Sequence, residues 1–132
     1  MRLVAVALVL LTLAACSDWR GGEEVRVEDY QARVLTDPDP LRVGEAAELV
    51  LLLRDMAGKD QAGCEARFRQ YMPGMEMSRD KVFVSLREAS PGHYRARSGE
   101  FTMGGDWVLE FRFDCGRGER VFRLSRHLAW RE

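Results

Sequence analysis

The sequence predicts an all-β domain, an immunoglobulin-like antiparallel β-sandwich of about seven strands. Three observations lead there. Short runs alternate apolar and polar residues, most cleanly where Trp107, Leu109, Phe111, Phe113 and Cys115 share one face opposite Glu110, Arg112 and Asp114. That period of two is the mark of a half-buried strand. Turn residues separate the runs at regular intervals, and no stretch joins a 3.6-residue period to helix caps. The cysteine phase agrees: Cys64 lies in register with Ala66 and Phe68, and Cys115 with Phe111 and Phe113. Both thiols should point into the core, as a bridge between facing sheets requires.

In chain order, the first element is an address. Arg2 precedes an apolar run from Leu3 to Leu13, interrupted only by Thr12, and Leu13-Ala14-Ala15-Cys16 follows. A charged start, a short apolar stretch and small residues at the cut form a secretory signal. The run is shorter than the ~20 residues of a membrane span. The cysteine after the small residues has the pattern of a bacterial lipobox. That pattern implies a signal peptide over 1–15, lipidation of Cys16 and a mature chain that starts there, held on a membrane by acyl chains without spanning it. Ser17 after the cysteine points to the outer membrane under the sorting rule of Gram-negative bacteria, with the domain facing the periplasm. Residues 16–24, polar and glycine-containing, form an expected flexible tether, and the domain takes 25–132.

Within the domain the first run spans Val25–Leu35 and ends at Asp37-Pro38-Asp39-Pro40, because proline removes a donor and restricts the residue before it. Ala46–Arg54 follows, with Leu49, Leu51 and Leu53 on one face. Asp55–Gly63 has the composition of a hairpin-like turn. Gly63–Tyr71 alternates again. Lys81–Arg87 is expected to send Val82, Val84 and Leu86 inward. Pro91-Gly92 turns the chain into His93–Ser98. Trp107–Cys115 and Val121–Leu128 close the series.

Composition narrows function. The 132 residues hold 20 basic and 21 acidic side chains. The basic residues are scattered, so no nucleic-acid footprint is present. Removing the signal leaves 117 residues, enough for one domain with a modest core. With Cys16 lipidated, Cys64 and Cys115 remain as an even pair in an oxidising compartment, which predicts a disulfide. The alternative, a two-thiolate metal site, lacks the paired cysteine spacings of zinc sites. No Ser/His/Asp set, HExxH, GxSxG or phosphate loop is present, so catalysis is not expected. Glu76, Asp80, Glu88, Asp106, Glu110 and Asp114 are spread along the chain and read as solvated carboxylates.

The densest unusual segment is Met72-Pro73-Gly74-Met75-Glu76-Met77, and Met103 lies in a second loop beside Gly104-Gly105. Thioethers are soft ligands that suit Cu(I). They are equally at home as flexible gap-fillers, and Pro-Gly is ordinary turn chemistry. An imidazole beside them has two sources, His93 and His127, each on the outward parity of its run.

Pro40 with Val43-Gly44-Glu45, Asp55–Gly58, MPGMEM at 72–77, Pro91-Gly92-His93-Tyr94 and Phe101-Thr102-Met103-Gly104-Gly105-Asp106-Trp107 form an ordered set. This set resembles the YtkA-like domain family of bacterial envelope proteins over about residues 30–115. The resemblance implies an immunoglobulin-like fold. Some relatives look associated with copper handling or with cytochrome oxidase assembly. Met72, Met75, Met77 and Met103 fall on the motif positions. The cysteine pair is not a feature of the resemblance. Trp107, after two glycines, reads as a core residue more readily than as a ligand platform.

Two functions follow. The first is a lipid-anchored periplasmic binding domain that captures Cu(I) through Met72, Met75, Met77 and Met103, with His93 as a fifth group, and hands it to a copper-handling protein. The second is a structural or interaction module without metal, its methionine loop an adaptable surface for another envelope protein. A monomer is expected in both.

Overall fold

A computed structural model describes residues 21–77 and 81–130 of the chain. The signal segment, Cys16, Trp19 and Asp80 lie outside them. Eight strands form: β1 (Glu23–Val27), β2 (Tyr30–Asp37), β3 (Glu48–Asp55), β4 (Glu65–Tyr71), β5 (Val84–Ser90), β6 (His93–Arg97), β7 (Gly105–Asp114) and β8 (Glu119–Leu128). All pair antiparallel in one sheet of order β1-β2-β3-β6-β5-β4-β7-β8. The sheet curls until its two edge strands approach. Arg126 of β8 pairs with Glu23 of β1, and Arg120 pairs with Glu28 and Asp29. The all-β antiparallel class is as expected. The form is a nearly closed barrel rather than two separate sheets.

The extra strand comes from the first run. Val25–Leu35 is not one strand but a hairpin, folded at Glu28-Asp29 between the paired Val27 and Tyr30. Glu28 takes φ +51° there, in the left-handed region usually left to glycine or asparagine. No glycine, proline or asparagine marks the turn. The strand also opens at Glu23, two residues inside the expected tether. Asp55–Gly63 does turn, since Asp55 Oδ1 accepts N–H bonds from Ala57 and Lys59. It does not close a β3–β4 hairpin: β3 pairs with β6, and the chain crosses to the other half of the sheet before β4 starts.

The core is the set of inward residues that alternation marks. Leu49, Leu51 and Leu53 are fully buried, as are Leu109 and Phe111, with Phe68 and Phe113 nearly so. Phe111 stacks on Phe122 at 5.0 Å, and Tyr30 meets Phe113 edge-on at 5.3 Å. Rings in these offset and edge arrangements add to the area they bury. Cys64 and Cys115 are bonded and half-buried against this core. The expectation for Lys81–Arg87 fails in part. Leu86 points inward, but Val82 and Val84 are exposed. β5 begins only at Val84, and its pairing with β4 covers just Ala66–Phe68, so no facing sheet covers the two valines.

Candidate functional site

Strand register sorts the connections to two ends of the barrel. Glu23 with Val34, Asp37 with Glu48, Glu48 with Arg97, Tyr71 with Val108 and Gly105 with Leu128 all lie at one end. The connections 38–47, 72–77 and 98–104 cap that end, and the described chain also enters and leaves there. The opposite end holds the Glu28-Asp29 turn, the Pro91-Gly92 turn and the Cys64–Cys115 bridge.

Met72, Met75, Met77 and Met103 gather at the first end. Met72-Pro73-Gly74-Met75 is a tight turn, closed by Met75 N–H donating to the Met72 carbonyl at 3.0 Å. Gly74 supplies φ +77° at its third position, which a Pro-Gly pair is suited to give. The turn lifts Met75 and Met77 into solvent, 57% and 56% exposed. Met72 instead lies half-buried against the core. Its Cε approaches Gly105 so closely that a Cβ there would stand 2.8 Å away. Gly104 makes the same room for Trp130, whose ring atoms would lie 2.7 Å from a Cβ. The two glycines thus let the β4–β5 and β6–β7 connections and the C-terminal segment meet. Met103 also packs on the core, and its carbonyl accepts the Trp107 indole N–H at 2.9 Å. Trp107 is buried edge-on to Phe101, a core residue as its spacing suggests. Between β4, β5 and the 98–104 loop, a cleft of about 350 Å³ opens beside Trp107, with Phe68, Gln70, Val82, Val84 and Thr102 on its walls.

The imidazoles exchange places relative to expectation. His93 pairs in register with Leu52 and Ser90 at the disulfide end, so the fold does not bring it to the methionines. His127 lies opposite Asp106, next to Gly105, at the methionine end. Its Nδ1 is 2.7 Å from Asp106 Oδ1, with both side chains well exposed on the outer face. Among the described residues, no group of three or more His, Cys, Asp or Glu side chains could hold a metal ion. A soft metal here would rest on thioethers, with His127 the nearer imidazole.

One residue read as solvated is not. Glu110 is completely buried on the outer face of β7. Arg69, Arg112 and Arg123 converge on its carboxylate at 3.0, 3.1 and 2.8 Å. Burial pushes its carboxyl up, and the three guanidinium donors more than reverse this, holding it at about 2. Phe83 lies over Arg67, Arg69 and Arg112, and Tyr71 under Arg69, roofing the cluster with aromatic faces. Alternation correctly puts Glu110 outward. That three arginines on three strands would bury it is a matter of register.

The fold is an antiparallel all-β barrel with its long connections and Met72, Met75, Met77 and Met103 collected at one end. The chain belongs to the YtkA-like family, whose profile matches residues 24–112. No curated protein and no solved structure matches it. Among the described residues, no helix is long and apolar enough to cross a membrane.

Proposed function

We propose that this protein is a lipid-anchored, non-enzymatic binding domain of the cell envelope, held through Cys16, that captures Cu(I) at the methionine end. The observation that supports this is the junction of the two methionine-bearing connections, where Met72 Cε packs on Gly105 two residues after Met103. Met75 and Met77 stand exposed on the same connection. Thioethers bind without losing a proton, so such a site keeps its affinity in a mildly acidic periplasm, where thiolate sites weaken. His127 takes the part first given to His93.

The test is a Cu(I) titration of the mature protein against a competing chelator, beside a Met75→Leu/Met77→Leu variant. Leucine keeps the volume and removes the sulfur. One-to-one binding that the variant loses supports the reading, and binding that survives in it sinks the reading.

A metal-free interaction module is favoured by a different observation. Met72 and Met103 are packed against the core as filler, and of the four only Met75 and Met77 are more than half exposed. Under that reading the leucine variant keeps partner capture and an aspartate at Met75 abolishes it.

A further inference from the structure

Exposed apolar side chains are distributed unevenly between the two ends. Met75, Met77, Val82 (67% exposed), Val84 and Trp130 (64% exposed) lie on the connection and terminus at the methionine end or beside it. Met56, in the turn after β3, is the one exposed large hydrophobic at the other end among the described residues. The chain also enters at the methionine end, where Glu23 of β1 meets Arg126 of β8. Cys16 precedes Gly21 by five residues, which span at most about 18 Å when fully extended. Acyl chains on Cys16 would therefore hold the methionine end near the bilayer and the disulfide end away from it.

We infer that Met75, Met77, Val82 and Trp130 form a docking face that seats the domain on the headgroup–acyl boundary of a phospholipid bilayer. The partner is the lipid surface itself. Trp130 keeps one side of its ring against Gly104 and offers the rest outward, and an indole is at home where one side is apolar and the other wet. Methionines conform to an irregular fluid surface. Anchoring makes the contact intramolecular, so weak individual insertions suffice. The charge of this end selects the lipid: connections 38–47, 72–77 and 98–104 with residues 81–83 carry Asp39, Glu45, Glu76 and Glu100 against Arg42 and Lys81. The contact is apolar, suits zwitterionic headgroups and weakens on an anionic surface. This inference rests on the lipid anchor proposed above, and it needs no copper; a seated face occupies the Met75 and Met77 thioethers that the copper reading uses.

The experiment uses the full lipidated protein with Trp19→Phe, reconstituted in phosphatidylcholine vesicles with brominated or plain acyl chains. Buried Trp107 serves as the internal reference. Trp130 emission should fall at least about twofold in the brominated vesicles, as for an indole at the interface. The quenching should disappear in a Met75→Asp/Met77→Asp variant that still floats with the vesicles, and weaken when phosphatidylglycerol is added. A protein that floats but shows no more quenching than its Trp130→Phe variant overturns the docking face and leaves the anchor standing. Protection of Met75 and Met77 from oxidation in native membranes but not in these vesicles would assign the face to a membrane protein, and overturns it too. Failure to float, with no acyl mass on Cys16, overturns the anchor and the docking face with it.

Discussion

The two ends of the barrel are built differently. At the disulfide end the connections are pinned. Cys64 is bonded to Cys115, and the buried Tyr94 hydroxyl donates to the Gln61 carbonyl at 2.7 Å while accepting the Cys64 N–H at 3.0 Å. Burial, helped by the Glu88 carboxylate and opposed by the Cys64 N–H, pushes that phenol up to about 12, so it stays a neutral donor at any physiological pH. Glu88, held below its usual range first by Tyr94 and then by the Gly63 N–H, ties β5 to the same corner. At the methionine end, the 38–47 and 98–104 connections are also tied to each other, by Gly44 N–H to the Phe101 carbonyl and Ser98 N–H to the Ala47 carbonyl, each at 2.8 Å. The methionine turn instead meets them through Met72 against Gly105, and its apolar groups stay exposed. An exposed loop on a rigid scaffold is where binding residues usually sit.

The largest effect should come from cutting the pin. The bridge closes a chain separation of 51 residues, and the chain-entropy account of such a loop gives about 4 kcal/mol. Cys64→Ser and Cys115→Ser should lower stability by that order in a denaturant titration, each as much as the double variant. A loss under about 1 kcal/mol would make the two ends equivalent and break the contrast.

Between the ends, Glu110→Ala should cost about 2–3 kcal/mol. That is less than the usual penalty for breaking a fully buried pair, because the guanidinium partners are still partly in water. The pH dependence has a definite sign. Glu110 is depressed from 4.5 to about 2, so its contribution is complete above pH 4.5 and is lost as pH falls toward 2. Thermal melts should show that decline in the parent protein and a flatter one in Glu110→Gln.

Gly105→Ala tests whether the two methionine connections touch. Gly105 has φ +123° and lies against Met72 Cε, so alanine there should cost about 1–2 kcal/mol. A second change, Met72→Ala, should recover the steric share and leave the backbone strain. Strict additivity of the two would mean that the connections are not coupled.

The smallest effect is Met75→Leu/Met77→Leu, expected within about 0.5 kcal/mol of the parent because both side chains are exposed. Stability unchanged with Cu(I) affinity lost would sharpen the division between a structural end and a binding end.

The sequence by itself determined the strand class, most of the core and the cysteine pairing. Alternation at 107–115 and at Leu49, Leu51 and Leu53 is local geometry, because a strand sends every second side chain to the same face whatever it packs against. Local pattern could not show that Glu28-Asp29 folds one run into two strands, since a lone Asp29 with no glycine, proline or asparagine is a weak turn signal. Nor could it show that Val82 and Val84 stay uncovered, because their inward parity presumes a facing layer that the short β4–β5 pairing does not provide. Alternation alone puts Arg112 beside Glu110, two residues away on the same face of β7. Tertiary register decided which histidine lies at the methionine end, that Met72 reaches Gly105, and that Arg69 and Arg123 join Arg112 around Glu110. Those are distances between strands, fixed by which edge pairs with which.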